Sequence, residues 1–170
     1  MYIMTNNAVL EPIEGCNYTS LEVAQGKLYT QIIATSQLNT LTLTIKKGQE
    51  HILDIQNVFE PPDLQLSDYF LRVESRVDPR DEFFHDANGY LVIKRKVGFR
   101  PDYEWQYKVI DKIAANTYPL CSFAYAVQDQ QKLVIFNDRA AGIALYEKSF
   151  LLNIDRIAGD DYKGVGEGYF

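Results

Sequence analysis

Six consecutive residues, Thr40-Leu41-Thr42-Leu43-Thr44-Ile45, alternate strictly between a hydroxyl-bearing and an aliphatic side chain. Neighbouring side chains of a strand point to opposite faces, so Leu41, Leu43 and Ile45 share one face and the threonines the other. The upstream Leu28–Thr35 run is also strand-like. Downstream, Lys46-Lys47-Gly48-Gln49 forms a tight connection to a partner strand over His51–Val58. The aromatic content points the same way. With 12 Tyr and 9 Phe, 13% of the chain is aromatic, and these residues suit pleated, half-buried surfaces.

The same reading extends along the chain. Residues 1–25 show no period and read as an irregular lead-in, interrupted at Glu11-Pro12-Ile13-Glu14-Gly15. Glu60-Pro61-Pro62-Asp63 breaks the sheet, because proline cannot donate to a ladder. Tyr69–Val77 resumes strand character, and Asp78-Pro79-Arg80-Asp81 turns it. The sharpest hairpin signal pairs Glu82–His85 with Tyr90–Lys96 across Asp86-Ala87-Asn88-Gly89, where Asn-Gly supplies positive φ values. Tyr118-Pro119-Leu120 leads into a strand that places Cys121, Phe123, Tyr125 and Val127 on one side, with Phe123 and Tyr125 expected in the core.

Asp129-Gln130-Gln131 then turns the chain into Lys132–Phe136. This apolar run reads as a strand covered on both faces, ending in the ionic pair Asp138-Arg139 and a small-residue turn, Ala140-Ala141-Gly142. Ile143–Ile157 holds one more apolar strand, and the tail from Gly159 to Gly168 is a glycine-rich loop. No segment carries a helical stripe with capping signals. The chain is expected to be all-β, with a single domain over residues 26–170.

Its 170 residues carry a formal charge of −6, which argues against nucleic acid as a partner. No apolar run approaches the roughly 20 residues of a membrane span, and Met1–Leu10 lacks the pattern of a signal peptide, so no membrane partner is expected. Cys16 and Cys121 could form a disulfide or remain as buried thiols. Only His51 and His85 could offer imidazoles to a metal, without a partner at ligand spacing, so no metal site is expected. Asp160-Asp161 is a poor acid/base pair, because adjacent turn carboxylates point apart, and no catalytic residue is assigned. Gly164-Val165-Gly166-Glu167-Gly168 lacks the spacing of a phosphate cradle. Trp105 and Tyr107, with Phe123 and Tyr125, offer rings for an aromatic stacking platform.

Several phrases resemble one family in the same order. Phe83-Phe84-His85-Asp86-Ala87-Asn88-Gly89, the basic Lys94-Arg95-Lys96 and Phe99-Arg100-Pro101 are similar to F-Y-T-D-S-N-G, a basic run and Y-R-P-T-W. Ala114–Leu120 resembles A-G-N-Y-Y-P-V, Leu133–Gly142 resembles L-T-V-L-T-D-R-S-Q-G-G, and Asp160–Glu167 resembles D-D-G-R-G-V-G-E. These are phrases of the C-terminal half of the family 38 glycoside hydrolases, the class II α-mannosidases. The resemblance is strong over residues 83–167 and weaker over 26–77. The chain departs from it at Ala140-Ala141, where the family has S-Q, and at Ile143, where it has a second glycine.

The resemblance implies an antiparallel β-sandwich, part of the large C-terminal β-structure of a retaining, zinc-dependent α-mannosidase acting on terminal α-mannosyl residues of glycans. Zinc and nucleophile are then expected in a catalytic N-terminal half, with no cofactor in this chain. That half and a mannose-containing glycan are the expected partners, and exposed sheet edges could be capped by self-association. Asp138 and Arg139 are the candidate substrate-binding residues, as part of the wall beside the sugar site. Lysosome, vacuole or the secretory pathway is the expected location, with the cytoplasm as the alternative; the sequon Asn17-Tyr18-Thr19 fits the former. The competing readings are a stand-alone carbohydrate-binding or protein-interaction β-sandwich.

Overall fold

The computed structural model describes residues 1–4, 10–62, 67–99 and 112–157. These form fourteen strands, one 3-10 turn at Ala114–Asn116 and no α-helix, and every described pairing is antiparallel. The all-β expectation therefore holds. Short strands β1 (Tyr2–Met4), β2 (Leu10–Pro12) and β3 (Ser20–Gln25) fall within the lead-in. The chain also divides into two compact units, Pro12–Gln65 and a second unit of Met1–Glu11 with Leu66–Phe170. β1 and β2, of three residues each, have too few positions to show a period.

The Pro12–Gln65 unit is a four-stranded meander of β3, β4 (Tyr29–Thr35), β5 (Asn39–Lys46) and β6 (Asp54–Phe59), in that order. Leu43 pairs with Ile32 and Ile55, and Thr42 with Ile33 and Gln56. The alternation of β5 therefore makes one face of the sheet richer in aliphatic side chains, although Ile33 lies beside Thr42 on the other. The β5–β6 connection is longer than the four residues expected, with Gly48 at φ +83°.

The second unit is a sandwich. One sheet runs β10 (Thr117–Leu120), β13 (Ala141–Tyr146), β14 (Ser149–Ile157), β7 (Ser67–Val73), β1, β2; the other runs β12 (Gln131–Phe136), β11 (Phe123–Gln128), β8 (Glu82–Asp86), β9 (Val92–Lys96). Tyr118, Leu120, Ile143, Leu145 and Phe150 of the first sheet meet Phe83, Ala124 and Ala126 of the second in one buried cluster. The back of the first sheet is also packed, with Phe70, Ala144 and Leu151 against Ile113.

Three local expectations change. First, Lys132–Phe136 is an edge strand with one buried face, because Leu133 and Ile135 point to the core while Phe136 stands 77% exposed. By contrast β13 is covered on both faces, with Ile143, Ala144 and Leu145 all buried. Second, Ala141-Gly142 belongs to β13 and is not a turn. Gly142 sits between β10 and β14, where a Cβ would come 3.2 Å from Asn153 Cβ and 3.3 Å from Thr117 Cγ2. Third, Ile143–Ile157 contains a hairpin whose two-residue turn is Glu147-Lys148, at φ 47° and 68°. That turn lacks the Asn or Gly that usually signals it.

The two sheets are also joined by a buried polar link. Pro119 is accommodated because β10 is an edge strand. His85, fully buried on β8, reaches its carbonyl across the sandwich with Nδ1 at 2.7 Å. A carbonyl only accepts, so Nδ1 carries the proton and Nε2 is left to accept from Arg95 Nε at 3.0 Å. The Arg95 guanidinium lies 4.3 Å above the centre of the Tyr118 ring. Burial, and then the Arg95 charge, hold the His85 pKa below the usual imidazole value against the raising effects of the Pro119 carbonyl and Asp86.

Two outcomes are expected. Replacing Glu147 by Asn, which tolerates positive φ, removes strain and should raise the melting temperature by about 2–4 °C; a lower value would mean that the long Glu147–Arg72 pair at 3.9 Å outweighs the turn. Because the folded His85 pKa is depressed, its stabilisation is complete above about pH 6.5 and declines as pH falls towards the folded value. Urea midpoints at about pH 7.5 and pH 5 should therefore differ less in His85→Gln than in the wild type.

Candidate functional site

At one end of the sandwich three connections are tied together. The β12–β13 loop bonds to the β10–β11 turn through Asn137 N to Ser122 O at 3.0 Å, and that turn bonds to the end of β8 through Cys121 N to Asp86 O at 2.9 Å. The Asn137 amide group donates towards Leu120 O and Cys121 O, each at 3.3 Å, and towards Arg139 O. Its Oδ1 is buried with no hydrogen-bond partner in the structure. The loop presenting Asp138 and Arg139 is therefore held at its base.

The β8–β9 connection contributes the third segment. It spans five residues, longer than the Asn-Gly turn expected, and only Gly89 has positive φ, at 73°. Asn88 acts through its side chain, accepting from Tyr90 N and Leu91 N at 3.0 Å each, while Asp86 Oδ1 accepts from Gly89 N at 2.6 Å.

On this anchored loop Asp138 and Arg139 form a two-pronged pair, with Arg139 Nε to Oδ1 at 3.1 Å and Nη2 to Oδ2 at 2.8 Å. Both side chains are about four-fifths exposed, at 77% and 81%. The hydrogen bond and charge of Arg139 hold the Asp138 carboxyl below the usual range, and Asp138 raises Arg139 in turn. A pair this exposed contributes little to folding. Its chemical capacity is to offer a planar cation with five donors and a carboxylate acceptor to hydroxyl groups in solution.

The two histidines stand in different settings. Both ring nitrogens of His85 are engaged inside the core, and His51 is exposed beyond β5. Among the described residues no group of three His, Cys, Asp or Glu side chains could hold an ion. Cys16 and Cys121 are free thiols, and burial raises the Cys16 pKa. Asp160-Asp161, Trp105, Tyr107 and the glycines at 164–168 lie outside the described residues.

Phe123 and Tyr125 do not enter the core as expected. Ala124 and Ala126 do, each 0% exposed, because the rings of Phe83 and Phe150 fill the space between the sheets. On the outer face Tyr125 stacks on Phe84 at 4.7 Å and 8°, and near-parallel to Phe123 at 6.4 Å and 14°. Lys132 Nζ caps the Tyr125 ring at 3.8 Å. Rings stacked on each other direct their edges outward, so this ladder does not offer the flat ring faces on which a sugar stacks.

Removing the Asn137 anchor gives a measurable result. Asn137→Ala should destabilise the chain by about 1–3 kcal/mol in urea unfolding. Asn137→Asp should cost at least as much, because it sets a carboxylate against three carbonyl oxygens. Wild-type stability in both variants would show that the loop needs no anchor.

Comparison with known proteins places this arrangement. The family model described as "Glycosyl hydrolases family 38 C-terminal domain" matches residues 2–162. The chain is 30% identical to the lysosomal alpha-mannosidase of Mus musculus over 131 residues, covering 74% of this chain and 12% of that protein. It is 28% identical to an alpha-mannosidase of Arabidopsis thaliana over 173 residues, 98% of this chain and 16% of that protein. An alpha-mannosidase 2 of Spodoptera frugiperda is 30% identical over 116 residues, 64% of this chain and 9% of that protein. The chain thus spans less than a fifth of the length of these relatives. On the ordered phrases, the antiparallel sandwich and the match along nearly its whole length, this chain belongs to the glycosyl hydrolase family 38 C-terminal domain family.

Proposed function

We propose that this chain is a structural and substrate-wall domain of an enzyme that hydrolyses terminal α-mannosyl residues of glycans by a retaining, zinc-dependent route. Metal and nucleophile belong to a catalytic N-terminal half, with which this domain associates. The observation that carries the reading is the family match over residues 2–162.

Within that enzyme, Asp138 and Arg139 contribute the wall beside the sugar. The loop is anchored by Asn137, and among the described residues its ion pair is paired only with itself and is turned to solvent. A guanidinium held by one carboxylate keeps donors for a hydroxyl of the glycan or for a carboxylate of the catalytic half. Ala140 and Ala141 add no polar contact, so Arg139 carries the role. The lysosome or the secretory pathway is the proposed location. It is supported by the names of relatives and by the exposed Asn17 of the sequon, as an acceptor for N-linked sugar must be.

The test is Arg139→Ala in the full-length enzyme. Loss of one charge-assisted contact should lower kcat/KM for an α-mannoside by about tenfold or more at unchanged melting temperature, with Arg139→Lys recovering part of it. Unchanged kcat/KM at matched stability would remove Arg139 from the sugar site.

A further inference from the structure

The β8–β9 loop, residues 87–91, leaves the sandwich at the same end as the Asp138-Arg139 loop. Phe123 of β11 pairs with Phe136 of β12, and Ala124 with His85, which brings Asp86 of β8 level with them. Two strand spacings of about 4.8 Å therefore set the bases of the two loops roughly 10 Å apart. The Cys121-Ser122 turn between them bonds to both, through Cys121 N to Asp86 O and Asn137 N to Ser122 O. At the tip, Tyr90, Leu91 and Val92 are three consecutive apolar side chains, exposed by 86%, 54% and 51%. Such a run adds nothing to a folded core and calls for a use. Its backbone is nevertheless fixed by side chains, with Asn88 Oδ1 accepting from Tyr90 N and Leu91 N, and Asp86 Oδ1 from Gly89 N. The Tyr125 ring is stacked on Phe84 and capped by Lys132, whereas among the described residues the Tyr90 ring has both faces open.

We propose that Tyr90 is a carbohydrate-contact residue, its ring stacking on the sugar next to the terminal α-mannosyl residue that Arg139 faces. The inference rests on the reading of Asp138 and Arg139 as part of the wall beside the sugar site of an α-mannosidase. A sugar presents hydroxyl groups at its edge and C–H groups on its ring face, so its site combines placed donors and acceptors with a flat apolar surface. Arg139 and Asp138 supply the first, and Tyr90 supplies the second. The roughly 10 Å between the loop bases matches the length of a disaccharide. Tyrosine suits the task, because two χ angles cost little to order on binding. A protein partner is the competing occupant of an exposed Tyr-Leu-Val run. The core of a protein interface is poor in charge, whereas this rim carries a fully charged and exposed ion pair.

The experiment gives the full-length enzyme two substrates, an α-linked mannotriose, which has a further sugar for Tyr90 to hold, and α-mannosyl fluoride, which has none. Tyr90→Ala should raise KM for the mannotriose about tenfold at unchanged kcat, and leave hydrolysis of the fluoride as it is. The melting temperature should not move, because the side chain is exposed. Tyr90→Phe and Tyr90→Trp, which keep a ring, should stay near the wild type on both substrates. An unchanged KM for the mannotriose in Tyr90→Ala would overturn the proposal. So would a lowered melting temperature of Tyr90→Ala in the full-length enzyme, which would set the ring against protein instead of sugar. A wild-type enzyme that hydrolyses neither substrate would overturn the α-mannosidase reading and this proposal with it, a result distinct from an active enzyme indifferent to residue 90.

Discussion

The sandwich depends on a neutral histidine in its core. His85 donates to the Pro119 carbonyl on the opposite sheet and accepts from Arg95 on the neighbouring strand, and each bond requires the other. If Nε2 gained a proton, two N–H groups would face each other at 3.0 Å in a site closed to water. Proline contributes twice. It holds an edge position that needs no ladder donor, and its carbonyl is what His85 reads. The aromatic side chains around the link, Phe83, Tyr118 and Phe150, then leave room facing them only for Ala124 and Ala126.

That packing explains why part of the fold was legible in the sequence and part was not. The alternation of Thr40–Ile45 reported β5 and its two faces correctly, because period-two patterning is a local property. Alternation in β11 was equally visible, but which side is buried depends on what lies opposite. Large rings on the facing strands reversed the expectation for Phe123 and Tyr125. The Glu147-Lys148 turn was hidden because tertiary pairing holds two ordinary residues at positive φ. Asp138-Arg139 was visible as a charged strand end. Its anchor was not, because Asn137 acts through carbonyls fifteen or more residues away in sequence, at Leu120, Cys121 and Ser122.

The division of labour follows from where polar chemistry sits. Inside the sandwich, the hydrogen-bonding capacity of His85 is consumed in joining the sheets. At the rim, Asp138 and Arg139 are held in place and, among the described residues, paired only with each other. In the Pro12–Gln65 unit, Leu21, Val23 and Ile55 stay exposed to water. Under the proposed function, a domain built this way supplies shape and a charged edge, while bond cleavage is left to residues on other parts of the enzyme.

The most direct measurement is hydrolysis of an aryl α-mannoside by the purified 170-residue chain, alone and then added to a full-length enzyme from which this segment has been deleted. The account predicts no turnover by the chain alone, with or without added zinc, and a saturable return of activity in the mixture. Turnover by the isolated chain, or a deleted enzyme that is already fully active without it, would contradict the account.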